Sequence, residues 1–155
     1  MNKLFSSDQI KNILINLNNK KSKIGFTNGC FDLFHPGHLY LLQKCKSLCD
    51  YLIVGLNSDI SISSLKGNSR PVDNQNKRIK NLTIKNEVDA VVVFSEDTPL
   101  DLIYKLKPNI LFKGMDYIDK EVIGSAFVKK NGGEVILIDL LEGHSTSSII
   151  RSYQK

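Results

Sequence analysis

His35 and His38, separated only by Pro36 and Gly37, are the residues of this sequence best suited to chemistry. They close the stretch Thr27 to His38, T-N-G-C-F-D-L-F-H-P-G-H. Imidazole N–H groups donate hydrogen bonds to anionic oxygens near neutral pH. The apolar run Ile24-Gly25-Phe26 leads into the stretch, and the amphipathic run Leu39 to Leu48 leads out. That order predicts strand, tight loop and helix, with the histidines at the helix start. A helix start offers unpaired N–H groups and a partial positive charge, so it attracts anions. Gly29 and Gly37 let a ligand approach the backbone, and Pro36 restrains the loop. The implied chemistry is binding and polarising a phosphate group. Neither a G-x-x-x-x-G-K-[ST] loop nor a G-x-G-x-x-G fingerprint is present. No Ser or Cys is paired with a base in the manner of a covalent nucleophile.

Further candidates follow predicted strands. Asn57 and Asp59 come after Tyr51–Leu56; Lys66-Gly67, Arg70-Pro71 and Arg78 come next, on or beside a segment read as irregular. Each of these cations taken alone reads as a solvated surface charge; taken together, with Arg suited to bidentate phosphate contacts and Lys to a point charge, they have the groups to close over a triphosphate. Thr98 either caps a helix beginning at Pro99 or contacts a substrate. Lys113, Gly114 and Asp116 follow Ile110–Phe112. Ser145, Thr146 and Ser147 open a last helix, where hydroxyls serve equally as caps and as anion ligands.

These positions need a scaffold that brings strand ends together. Ser6 or Ser7 caps a first helix with Ile10, Ile13, Leu14 and Leu17 on one face. Strands are expected at about 23–27, 51–56, 90–94, 110–112 and 135–138, uniformly apolar as in a parallel sheet covered on both faces. Helices are expected at about 74–85, 99–107, 121–130 and 145–153. Pro99 suits a first turn, and Gly132-Gly133 a helix end. The fold class is therefore α/β: a Rossmann-like, doubly wound, parallel five-stranded sheet with helices on both faces. Such sheets bind ligands beyond the carboxyl ends of their strands.

The 155 residues read as a single domain, 1–155, able to bury a core without staples. Its apolar runs are too short to span a bilayer, and no secretory leader is visible, which points to the cytoplasm. The net charge of +5 is scattered, so small anions account for it as well as nucleic acid does. Basic clusters interleaved with aromatics are lacking, which argues against a nucleic-acid module. Cys30, Cys45 and Cys49 form no disulfide framework; Cys45 and Cys49, one helical turn apart, are read as core packing rather than metal ligands.

The stretch Thr27 to His38 resembles the H-x-G-H nucleotidyltransferases, the cytidylyltransferase-like enzymes. The resemblance runs from about Ile24 to Ile150. It implies that His35 and His38 contact a nucleoside triphosphate and stabilise the transition state at its α-phosphorus. With Lys66 and Arg78 they form the expected catalytic set. Nucleotide contacts are expected from Thr27, Asn28, Gly29, Cys30, Phe31, Gly37, Lys113, Gly114, Asp116, Ser145, Thr146 and Ser147. Acceptor contacts are expected from Asp32, Asn57, Asp59, Arg70 and Thr98. No protein metal site is expected; Mg²⁺ would be held mainly through the phosphates of ATP. The segments G-L-N-S-D, L-K-G, R-P, E-D-T-P and K-G-M-D-Y look most like those of D-glycero-β-D-manno-heptose 1-phosphate adenylyltransferases, which make ADP-heptose for the lipopolysaccharide core. The alternatives are a glycerol-3-phosphate cytidylyltransferase or a related transferase, and a silent nucleotide-binding regulator. The resemblance also implies a homodimer and a separate kinase supplying the sugar phosphate. Met115 stands where relatives carry glycine, so a positive φ there would be strained.

Overall fold

The computed structural model describes residues 2–115 and 121–139. Ser6 caps α1 (Ser7–Asn19): its Oγ accepts the Gln9 N–H while Gln9 Oε1 accepts the Ser6 N–H. The helix buries Ile10 and Leu14. Then follow β1 (Ile24–Gly29), α2 (Pro36–Ser47), β2 (Tyr51–Asn57), α3 (Asp59–Lys66) and α4 (Gln75–Thr83). The described part closes with β3 (Ala90–Phe94), α5 (Leu100–Leu106), β4 (Ile110–Gly114), α6 (Ser125–Lys130) and β5 (Glu134–Ile138).

All five strands are parallel, in the order β3-β2-β1-β4-β5. Side chains alternate across each strand, so β2 sends Ile53 to one face and Leu52 and Val54 to the other. α1, α5 and α6 cover the first face through Ile10, Leu14, Leu102, Ile103 and Val128. α2 and α4 cover the second through Leu42, Cys45 and Leu82. The sheet is thus doubly wound. Its order reverses at β1, whose neighbours are β2 and β4, so a crevice opens beyond the carboxyl ends of these strands.

Three elements differ from the sequence reading. Residues 59–66 are helical rather than irregular; Ser58 caps them by accepting the Ser61 N–H, and Ile62 is buried. The sixth helix begins at Ser125 rather than near Glu121. Leu4 bridges to Val91 alongside β3, a pairing too short to show as a strand pattern. The expected helix at 145–153 lies outside the described residues. Cys45 and Cys49 are core packing: Cys45 is fully buried, and Cys49 Sγ donates to its carbonyl. Burial pushes the Cys49 thiol up to about 11. Among the described residues no helix is long and apolar enough to cross a membrane, and no cluster of three His, Cys, Asp or Glu could hold a metal.

Candidate active site

The two histidines make a reciprocal cap at the start of α2. His35 is the N-cap, and its Nδ1 accepts the Gly37 N–H at 3.0 Å. His38, one turn in, accepts the His35 N–H on its own Nδ1 at 3.3 Å. The rings stack at 3.7 Å between centroids. An imidazole nitrogen that accepts a backbone N–H carries no proton, so each neutral ring is protonated on Nε2. Nε2–H is the group that can donate to a phosphate oxygen. The cap thus selects the tautomer as well as starting the helix. It also occupies the Gly37 N–H, which had been expected to face a nucleotide.

Phe31 and Phe34 pack on His38 at 5.2 and 5.3 Å. Burial, helped by the His35 and Lys66 charges and opposed by the Asp32 carboxylate, pushes the His38 pKa down from 6.5 to about 3. His38 is therefore neutral at working pH. Below pH 6.5 the unfolded chain takes up a proton that the folded chain refuses until about pH 3. Stability thus falls as pH drops through this window, by roughly 2 kcal/mol between pH 6.5 and 5. Denaturant titrations at pH 7.5 and 5 should show the wild type losing more stability than His38→Asn. Equal losses would contradict the burial of a neutral His38.

The loop that presents the histidines is held from below. Phe31 and Leu33 adopt left-handed backbone, φ 49° and 52°. Each such non-glycine position costs roughly 1 kcal/mol. Asp32, between them, is fully buried. Its Oδ2 accepts from Arg70 Nε at 3.1 Å and from the Val72 N–H at 2.8 Å; its Oδ1 accepts the Asp73 N–H at 2.8 Å. Burial would raise the Asp32 pKa, but these N–H donors and the Arg70 charge outweigh it and hold the carboxyl below its ordinary value. Both oxygens are committed to protein groups, so Asp32 is a framework residue rather than the expected acceptor contact. Arg70 Nη2 is buried without a hydrogen-bond partner among the described residues.

Arg78 departs furthest from its expected role. It is fully buried. Nε donates to the Asp73 carbonyl at 3.0 Å, and Nη1 to the carbonyls of Cys30 and Asn57 at 2.9 and 2.7 Å. Nη2 pairs with Asp59 Oδ1 at 2.7 Å. The guanidinium therefore fastens the ends of β1 and β2 to the start of α3. It presents no exposed face to a triphosphate. Asp59 is engaged likewise, its second oxygen accepting the Gln75 N–H at 3.1 Å.

Above this framework lies a cleft of about 400 Å³ at the carboxyl ends of β1, β2 and β4. Thr27, Asn28, Gly29, Cys30, Asn57, Lys66, Thr98, Lys113 and Gly114 line it, all singled out from sequence. His35 and His38 are not among the described lining residues; Leu41, one helical turn beyond His38, is, and the Lys66 charge acts on the His38 ring. Gly67, φ 97°, ends α3 directly after Lys66. Gly29 leaves room for the Phe31 ring, whose Cε2 would lie 3.3 Å from an added Cβ. Thr27 Oγ1 donates to the Phe112 carbonyl, Asn57 Nδ2 to Ser61 Oγ, and Lys113 Nζ to the Asn28 carbonyl at 3.5 Å. Asn28 Oδ1 is buried with no hydrogen-bond partner among the described residues. Thr98 Oγ1 accepts the Leu100 N–H at 3.4 Å, so it meets the helix start while also lining the cleft.

Two lysines against one carboxylate, Asp97, make the described lining suited to an anion. A divalent ion carried on phosphate oxygens fits that donor set; a protein cage does not. Leu41, Leu65, Asp97, Pro99 and Ile123 also line the cleft and were missed from sequence. Helical spacing from His38 and the neighbours of Lys66 and Thr98 would have found most of them. A hollow of similar size between α1 and α5, lined by Leu14, Ile15, Tyr104 and three lysines, holds none of the predicted residues. Asp116, Ser145, Thr146 and Ser147 lie outside the described residues. Met115 is not among the left-handed positions, so the anticipated strain does not arise.

A parallel sheet whose switch point opens onto a lysine-lined cleft, beside a helix capped by H-x-G-H, has the layout of an α/β protein built to hold a phosphorylated ligand. More narrowly, a family model described as cytidylyltransferase-like matches residues 26–151, and the chain belongs to that family. The bifunctional protein HldE of Rhodopseudomonas palustris (strain BisA53) is 52% identical over 132 residues, 85% of this chain and 27% of that protein. The bifunctional protein HldE of Hyphomonas neptunium is 48% identical over 128 residues, 83% of this chain and 26% of that protein. The chain thus spans about a quarter of the length of these curated relatives. Two solved structures share the fold. The lipopolysaccharide core biosynthesis protein from Thermoplasma volcanium has a TM-score of 0.60 at 24% identity, covering 77% of this chain and 97% of that one. Pantoate-beta-alanine ligase from Francisella tularensis has a TM-score of 0.68 at 18% identity, covering 97% and 76%.

Proposed function

We propose that the chain transfers an adenylyl group from ATP to D-glycero-β-D-manno-heptose 1-phosphate, releasing pyrophosphate and forming ADP-heptose for lipopolysaccharide core synthesis. The observation that carries this reading is the roughly 50% identity to HldE proteins over a stretch that includes the histidine loop, the Lys66 segment and the cleft. A phosphate oxygen of the acceptor attacks the α-phosphorus in line, and pyrophosphate leaves on the opposite side. The protein contributes position and charge stabilisation. His35 and His38 donate from Nε2 to the reacting phosphate, and the N-terminal dipole of α2 favours the added negative charge. Lys66 and Lys113 hold the triphosphate as point charges. Asn28 Oδ1 offers an acceptor to a donor on the bound nucleotide. Asn57 and Thr98 face the acceptor end.

When bound with ATP, Mg²⁺ supplies charge neutralisation on the phosphate oxygens, with Asp97 the carboxylate that the described lining offers. Asp116, Ser145, Thr146 and Ser147 complete the nucleotide contacts in this reading. A homodimer, a cytoplasmic setting and a kinase activity supplying the sugar phosphate belong to it as well.

The test is pyrophosphate release with Mg²⁺, running ATP and CTP each with heptose 1-phosphate and glycerol 3-phosphate. Release confined to ATP with heptose 1-phosphate is expected. Release with CTP and glycerol 3-phosphate would move the chain to the polyol-phosphate cytidylyltransferases. Nucleotide binding without release from any pair would leave another sugar phosphate as acceptor or a regulator.

A further inference from the structure

We propose that Asp32 and Arg70 are positioning residues: their ion pair holds the β1–α2 loop in the conformation that aims the two histidines, and neither acts by touching the acceptor. The inference rests on the reading of His35 and His38 as phosphate donors. Phe31 and Leu33, on either side of Asp32, both hold left-handed backbone that their side chains disfavour. Two such residues so close together persist only where the surroundings over-determine them. Asp32 supplies that restraint through its three hydrogen bonds to residues 70–73, with no exposed surface.

The restraint reaches His38 directly. Phe31 and Phe34, which bracket Asp32 along the loop, both pack on that imidazole beside the His35 ring. Residues 70–73 are themselves anchored. Ser63 Oγ donates to the Arg70 carbonyl at 2.7 Å, joining them to α3, the helix that ends at Lys66. Arg78 Nε holds the Asp73 carbonyl. One short segment thus links the lysine-bearing helix to the histidine-bearing loop, and the Asp32–Arg70 pair is its clasp. A displacement of the reacting groups by about 1 Å commonly costs on the order of 10²-fold in rate.

The experiment compares Asp32→Asn, Arg70→Gln and the double variant of the full chain. It measures melting temperature, kcat and KM for both substrates, and the ¹⁵N ring signals of the histidines. The chain has three histidines, so those signals are few. Each single variant should lower kcat about tenfold to hundredfold, leave both KM values within about twofold, and shift the His38 ring signals. The double variant should be no slower than the slower single, as expected of groups acting as one unit. A tenfold rise in acceptor KM with unmoved ring signals would overturn the proposal. So would losses that multiply. If Asp32→Asn fails to fold, Arg70→Gln alone decides by the same signals. If the wild type shows no transferase activity, the ring signals still report: movement upholds the clasp while the proposed function falls, and no movement removes the clasp.

Discussion

His38→Asn should lose about 10²–10³-fold in turnover while melting within about 2 °C of the wild type. The two effects separate because the imidazole has two jobs on two nitrogens. Nδ1 accepts the His35 N–H, and an asparagine Oδ1 at the same position can take over that bond. Nε2 is the donor assigned to the phosphate, and asparagine has no group that reaches as far. His38→Gln reverses the trade. Its longer amide places a donor near the former Nε2 but gives up the cap. A lost cap costs about 1 kcal/mol, or roughly 2–4 °C in a domain of this size. His38→Gln should therefore melt lower and turn over faster than His38→Asn. Near-normal turnover in His38→Asn would remove His38 from the reaction.

Arg78→Met should lower the melting temperature by about 10 °C, with little of its effect specific to triphosphate binding. Deleting one member of a buried pair commonly costs about 3–5 kcal/mol. Asp59 is 43% exposed in its side chain and can turn to water, which discounts that figure. The carbonyls of Cys30, Asn57 and Asp73 lose a donor in the interior and add to the cost. Lys66→Ala is the contrast. Lys66 is exposed and lines the cleft, so its loss should raise the KM for ATP with the melting temperature unchanged. Calorimetry with steady-state kinetics on both variants checks the pair. Normal melting of Arg78→Met with a raised KM for ATP would return Arg78 to the phosphate site.

That contrast shows what the amino-acid sequence could and could not express. Lys66 and Arg78 read alike as cations after a strand, because a sequence shows charge but not what faces it. Asp32, expected to contact the acceptor, hides its role for the same reason; its partners lie about forty residues away in the chain. The strands were legible because unbroken apolar runs between turns leave few other readings, and all five fall where expected within a residue or two. β1 extends two residues further than expected, to Gly29, and carries Asn28 to the cleft. α3 was hidden by Ser61, Ser63 and Ser64, which are poor helix formers in isolation. Its one local signature, Ser58 followed by Asp59, is shared with ordinary turns. The cleft was legible as chemistry but not as shape: Leu41, Leu65 and Ile123 carry no reactive group and emerge only when three strand ends and two helix ends meet.

The bridge at Leu4 has a consequence for how the molecule meets other chains. β3 ends the strand order, so its outer backbone groups would ordinarily invite pairing by a passing strand. Val91 instead donates to the Lys3 carbonyl at 2.8 Å and accepts the Phe5 N–H at 3.0 Å, while Lys3 Nζ reaches the Lys85 carbonyl at 2.7 Å. A few residues of the leading segment thus act as a built-in selvedge, finishing that side of the sheet as a woven border keeps cloth from unravelling. An incoming strand would have to peel this border away before it could dock there.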